Sequence, residues 1–240
     1  MKPLLFLHGW AQSSRVWYQQ KQVFTGAHYL NLPGHGGAKD VPADAWVEHL
    51  TAQLPDEPCM LVGWSLGGSI AMEIARRFPG RIAGLALIGS TPCFRAAHDW
   101  PHGCDEPTFA TFKDASTSDS ARALTRFFAL MLHGDGLARS AYNQLAQQAV
   151  DKEHPATAAG LAAGLELLVR LDLRCALLAM QMPVLLVHGE QDAIVAVEAG
   201  RWLARHIPGA QAHYLDACGH VPFLSQPEKL NTLIKKWWQQ

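Results

Sequence analysis

The sequence predicts an α/β protein, a mostly parallel, doubly wound sheet with a helical cap inserted into it. Three observations point there. Short apolar runs of strand length recur along the chain, helical patterns alternate with them, and the alternation lapses over residues 93–181, where helical patterns follow one another without a convincing strand.

The strand-like runs fall at residues 3–7, 28–32, 59–63, 85–88, 183–188 and 211–215. Most lack a period of two, as expected for parallel strands covered on both faces. Helical stretches at 45–53, 66–78 and 199–206 lie between them, closed by Pro or Gly, and a final helix is expected over 226–238. Within the lapse, helices are expected over 120–132, 137–150 and 157–169. The domain reading is therefore a core of residues 1–92 and 182–240 carrying a cap of residues 93–181. The chain starts directly at the strand before His8-Gly9, so a hairpin ahead of it is expected to be short or missing, leaving one sheet edge exposed.

With 240 residues, 49% of them hydrophobic, the chain can bury one substantial core. A formal net charge of −1 gives no global attraction for nucleic acid or an anionic membrane, and neither is expected as a partner. Gly, Pro, His and charged residues interrupt every apolar run well short of the roughly 18 residues a spanning helix needs. The opening MKPLLFLHGW ends its apolar run in His-Gly rather than in a small-residue cleavage site, so it reads as a strand and not a signal. Five cysteines, at 59, 93, 104, 175 and 218, form no CxxC pair or zinc spacing. They suit a reducing cytoplasm, where the protein is expected to act as a monomer.

The chemistry centres on Gly63-Trp64-Ser65-Leu66-Gly67-Gly68, a G-x-S-x-G pattern between an apolar strand and a helical segment. A serine on such a turn has strained dihedrals, and the turn lifts its hydroxyl above the sheet. That hydroxyl needs an adjacent base, held in one tautomer by a carboxylate. Asp192 lies just beyond the strand at 183–188, and His220 follows the strand at 211–215. Glu190 is the rival acid; Asp192 is favoured because it sits further into the loop. The oxyanion of a tetrahedral intermediate needs backbone donors. Leu66, at the helix start, supplies one, and Trp10, in the loop after the first strand, is expected to supply the other. His8 and His35 are read as structural residues of their loops. No metal or organic cofactor is required.

Taken together, His8-Gly9-Trp10, the turn Asn31-Leu32-Pro33-Gly34-His35-Gly36, the Ser65 motif, the acid loop and Gly219-His220 resemble the α/β-hydrolase superfamily over nearly the whole chain. The resemblance implies the α/β-hydrolase fold and its order of nucleophile, acid and base, here Ser65, Asp192 and His220. More narrowly, the Ser65 motif, Ser90-Thr91-Pro92-Cys93-Phe94, Asp99-Trp100-Pro101 and Leu171-Asp172-Leu173-Arg174 resemble the biotin-pathway esterases that demethylate pimeloyl-acyl-carrier-protein methyl ester. That implies an acyl-carrier protein bearing a pimeloyl methyl ester as partner. Phe127, Phe128, Ala129, Leu130, Met131 and Leu132 are then candidates to line an acyl tunnel with Trp10 at its reactive end; the alternative is an ordinary buried helix face. Arg122 and Arg126, one helical turn apart, and Arg139 are candidates to receive the acidic carrier, with a solvated helix face as the alternative. Asn143 stands where the family pattern favours a basic residue. Other enzymes of the fold (a carbon-carbon bond hydrolase, an acyltransferase) and a non-catalytic binding module remain as rival readings.

Overall fold

The computed structural model of the protein describes residues 1–117 and 121–240. Six strands, β1 (Leu4–Leu7), β2 (His28–Leu30), β3 (Cys59–Trp64), β4 (Ile82–Ile88), β5 (Val184–Gly189) and β6 (Gln211–Leu215), form one sheet in the order β2-β1-β3-β4-β5-β6. Every pairing is parallel, with Leu7 opposite Gly63, Val62 opposite Ala86, Ile88 opposite Val187 and His188 opposite Tyr214. The apolar runs find their physical reason here: β1, β3 and β5 are buried at every residue, as helices cover both faces. The edges differ, since β2 exposes His28 and leaves Tyr29 and Leu30 half-buried.

The helices are α1 (Tyr18–Val23), α2 (Trp46–Thr51), α3 (Leu66–Arg77), α4 (Glu106–Thr117), α5 (Ala121–Met131), α6 (Arg139–Ala149), α7 (Ala158–Arg170), α8 (Val197–His206), α9 (Pro222–Ser225) and α10 (Pro227–Trp238). Their bounds shift the expected ones modestly. β4 begins at Ile82 rather than residue 85, and α8 opens at Val197 rather than 199. Among the described residues, no helix is long and apolar enough to cross a membrane.

Between β4 and β5 the chain runs through α4 to α7. It leaves and returns at one point: Cys93 and Asp172 form an antiparallel bridge, and the Leu173 amide donates to the Pro92 carbonyl at 2.8 Å. Arg174 reinforces this stem by pairing with both Asp172 and Asp99.

Parallel strands bring their carboxyl ends to one edge. The sheet order also reverses there, because β2 lies on one side of β1 and β3 on the other. Ligands of open α/β sheets bind in such crevices. The loop carrying Trp10 after β1 and the turn carrying Ser65 after β3 are therefore neighbours by topology.

The strand core sets stability. Leu61 is fully buried at the middle of β3, so Leu61→Ala is expected to lower the unfolding free energy by about 2–5 kcal/mol, measured by urea denaturation.

Candidate active site

Ser65 connects β3 to α3 with φ 54° and ψ −121°, a conformation disfavoured for a non-glycine residue. Its surroundings over-determine it. The Ser65 amide donates to the Ile88 carbonyl at 3.0 Å, while its own carbonyl accepts from Gly68 and Ser69 at 2.9 and 3.1 Å. Gly67 lies so close to the end of β1 that a Cβ there would stand 2.5 Å from the His8 carbonyl oxygen and 2.6 Å from that of Leu7. On the other side, a Cβ on Gly9 would meet the Trp64 ring at 2.9 Å and the Ser65 Cβ at 3.2 Å. Backbone packs on backbone at Gly67 and on the Trp64 ring at Gly9, with no space for a side chain at either, and the loop after β1 is carried onto Ser65.

Two histidines hold that loop. Nδ1 of His8 binds the Gly9 carbonyl at 2.8 Å, while Nε2 receives the Leu32 amide at 3.0 Å. Likewise Nδ1 of His35 binds the Pro33 carbonyl at 2.8 Å, and Nε2 receives the Ala11 amide at 3.2 Å. Each pattern requires a neutral ring protonated at Nδ1. Burial, and for His8 the nearby His35, lowers the two pKa values to about 3 and about 4. Trp10 itself is buried; its Nε1 donates to the Leu161 carbonyl on α7 at 2.9 Å, and its ring packs against Phe112 and Phe127. Leu66 opens α3, so its amide is one of the first-turn donors with no partner inside the helix.

Asp192 and His220 meet from neighbouring strands. Oδ2 of Asp192 lies 2.7 Å from Nδ1 of His220, and both side chains are buried. The amides of Ile194 and Val195 donate to Oδ1, each at 2.9 Å. Burial alone would raise the Asp192 carboxyl. The charge of His220, with hydrogen bonds from His188 and His220, outweighs it and holds the group below the ordinary carboxylate range. Because Nδ1 of His220 is engaged by the acid, Nε2 is the ring nitrogen left to face a nucleophile. Trp64, next to Ser65 in sequence, donates from Nε1 to the His220 carbonyl at 2.9 Å, with the two rings 5.4 Å apart. Glu190 points elsewhere, pairing with Arg201 at 2.9 Å in an exposed position.

His188 was not singled out by sequence. Its Nε2 lies 2.8 Å from the Val195 carbonyl and 3.3 Å from Oδ2 of Asp192, which adds a second imidazole to the acid. The one signal was a histidine closing an otherwise apolar strand run.

The remaining candidates lie on or near α5. Phe127 joins Trp10 and Phe112 in an aromatic cluster, Met131 is buried, Leu130 is half-buried and Ala129 is exposed. Phe128 lines a cavity of about 560 Å³ between the loop after β1 and α6, together with Ala11, Gln12, Tyr142, Ala146 and Val150. Ala11, which follows Trp10 in sequence, is on its wall, while Ser65, Asp192, His220 and Trp10 are not among the residues lining the cavity. Asn143 also lines it. Arg126 and Arg139 are exposed, and the Arg122 side chain lies outside the described residues. Among the described residues, no group of three His, Cys, Asp or Glu side chains is placed to hold a metal ion.

Against known proteins, the family pattern described as "Alpha/beta hydrolase family" matches residues 4–233. The chain is 40% identical to a pimeloyl-[acyl-carrier protein] methyl ester esterase from Aromatoleum aromaticum, covering 97% of this chain and 96% of the relative. It is 36% identical to the protein of the same name from Nitrosomonas europaea, over 94% and 91% of the two chains. Among solved structures, an esterase from Exiguobacterium antarcticum superposes with a TM-score of 0.85 at 21% identity, over 100% of this chain and 92% of that one.

The neutral histidine pair has a pH signature. In the fold both rings stay neutral; in the unfolded chain each takes up a proton as pH falls below its ordinary value of 6.5. Their contribution is thus fully present above about pH 6.5 and is lost as pH falls through about 4 for His35 and about 3 for His8. In His8→Gln the unfolding free energy is expected to drop less steeply between about pH 6 and 5, by about 1 kcal/mol relative to the parent, measured by urea titration at each pH.

Proposed function

The chain belongs to the alpha/beta hydrolase family, and from that premise we propose that it is a serine carboxylesterase that removes the methyl group from pimeloyl-acyl-carrier-protein methyl ester in biotin synthesis. Ser65 is the nucleophile, His220 its general base and Asp192 the acid that orients the base. The names and near-complete coverage of the relatives supply the substrate class. One observation carries the chemistry: a buried, fully hydrogen-bonded Asp192 grips Nδ1 of His220 at the strand edge where Ser65 is held at φ 54°.

The steps follow from that geometry. Nε2 of His220 accepts the Ser65 proton as Oγ attacks the ester carbonyl. The Asp192 carboxylate, kept ionised, balances the imidazolium that results. The amides of Trp10 and Leu66 face the oxyanion, the first on the loop packed against Ser65 and the second at the opening of α3. Collapse expels methanol, which takes its proton from His220. Water then enters by the same route in reverse, releasing the pimeloyl carboxylate and restoring Ser65. Neither a metal nor an organic cofactor is needed for these steps.

Residues 93–181 act as the cap over this edge, and the cavity lined by Phe128, Tyr142, Ala146 and Val150 accepts the methylenes of the acyl chain. The exposed Arg126 and Arg139 lie on the same cap, where cations complement an acidic carrier.

Ser65→Ala is expected to lower kcat on p-nitrophenyl butyrate by about 10⁴-fold or more without loss of the folded state by circular dichroism. In a strain lacking its pimeloyl methyl esterase, the parent gene is expected to restore growth without biotin and the Ser65→Ala gene to fail. A parent that cleaves short esters but restores no growth would overturn the substrate. Reversing charge in Arg126→Glu with Arg139→Glu is expected to raise KM for the carrier-linked ester by about tenfold and to leave KM for p-nitrophenyl butyrate unchanged.

A further inference from the structure

Among the described residues two buried carboxylates stand outside the mechanism: Glu73, which is paired with Arg76, and Asp135. Asp135 follows α5, is 8% exposed, and accepts the Gly219 amide on Oδ1 at 2.7 Å. Its Oδ2 is buried with no hydrogen-bond partner among the described residues. Burial pushes its carboxyl above the ordinary value, against the Gly219 amide and the nearby Ser225 hydroxyl and Cys218 thiol, which favour the charged form. Leaving one oxygen of a buried acid without a partner is costly, so the bond it does make calls for an explanation.

That bond lands on the residue before His220. The next amide, of His220 itself, donates to the Met131 carbonyl at the end of α5, at 3.1 Å. Two successive amides of the base loop are thus received by the end of α5 and the turn after it, rather than by the sheet. The same turn presses on the acid loop: Gly134, at φ 89°, lies so close that a Cβ would stand 2.5 Å from the Gln191 Cβ and 2.8 Å from its carbonyl oxygen. Further back on α5, Phe127 packs edge-on against Trp10 at 5.1 Å. The helix and the turn that follows it therefore touch the loops that carry the base, the acid and Trp10, while Phe128 on that helix lines the cavity.

We propose that Asp135 is a positioning residue for the general base, fixing His220 through the Gly219 amide so that the placement of α5 in the cap sets the placement of the imidazole. An ionised acceptor makes a shorter and stronger bond than a neutral one, which accounts for an acid at a position whose one close hydrogen bond, at 2.7 Å, goes to the Gly219 amide. A substrate chain seated against Phe128 then bears on the helix that holds the base. The proposal rests on His220 being that base.

The test compares Asp135→Ala, which removes the acceptor, with Asp135→Asn, which keeps it without the charge. Hydrolysis of p-nitrophenyl butyrate is followed, with rates expressed per active site after exhaustive fluorophosphonate titration so that unfolded molecules do not count. Asp135→Ala is expected to lose about tenfold or more in kcat with KM within about twofold, since small misplacements of catalytic groups cost rate rather than binding. Asp135→Asn is expected to recover to within about threefold of the parent. A kcat for Asp135→Ala within twofold of the parent overturns the proposal, as does an Asn variant as slow as the Ala variant. Should Asp135→Ala not fold, Asp135→Val takes its place; if that also fails to fold, the residue serves stability alone and the proposal falls. His220→Gln, run in parallel, tests the underlying reading separately: if it keeps full activity, the assignment of the base is wrong whatever the Asp135 variants do.

Discussion

At the carboxyl edge of the sheet, the turn from β3 into α3 and the end of β1 occupy almost the same space. They coexist because Gly9 and Gly67 present backbone where any other residue would place a Cβ against a carbonyl or an indole. That crowding fixes Ser65 at a positive φ, since no looser path connects a fully buried strand to a helix whose first turn rests on the Leu7 and His8 carbonyls. It also determines what lies beside the serine. A loop pressed this close can offer only main-chain amides, the kind of donor a developing oxyanion requires.

Crowding alone does not hold a loop in one conformation. The polar groups that bind the strand ends together are neutral imidazoles, each spanning two backbone positions far apart in sequence: His8 joins Gly9 to Leu32, and His35 joins Pro33 to Ala11. A lysine or arginine at either place would bring an uncompensated charge into the core. The neutral ring offers one donor and one acceptor at opposite ends, which matches a carbonyl on one side and an amide on the other. The same sequence uses histidine for three different purposes within one edge of the sheet, and burial and hydrogen-bond partners distinguish them.

Much of this was legible in the sequence because the governing signals are local. Strands buried on both faces must be almost wholly apolar, which makes β1, β3 and β5 plain, while the half-buried edge strands β2 and β6 show mixed runs between turn signals; Ser65, Asp192 and His220 follow three of the six. Other features escaped for an equally physical reason. α1 carries Gln and Lys among few apolar residues, and α4 has Pro, Thr, Lys and Asp with weak periodicity, so neither shows a strong face. Asp135 sits in His-Gly-Asp-Gly, which reads as an exposed turn; only the folded chain puts its carboxylate against Gly219, far along the sequence. His188 is hidden within a strand, and nothing local says that its ring reaches Asp192. The stretch from Phe127 to Met131, written as one continuous lining, is divided by the helical period: Phe127 enters the aromatic cluster, Phe128 faces the cavity and Ala129 faces solvent.

The division of labour around Asp192 explains why an aspartate so deeply buried stays ionised. Oδ1 is saturated by two backbone amides that cannot rotate away, and Oδ2 is shared between His220 and His188. Each oxygen therefore has donors on the side where a proton would otherwise bind, and the desolvation that favours the neutral acid is outweighed. Glu190, two residues earlier, is comparably placed in sequence, but its contact with Arg201 leaves it in solvent, where it steers nothing. What separates the two acids is the turn after β5, which folds the amides of Ile194 and Val195 back onto Asp192 alone. The backbone of that turn, more than the choice of acidic side chain, selects the partner of His220.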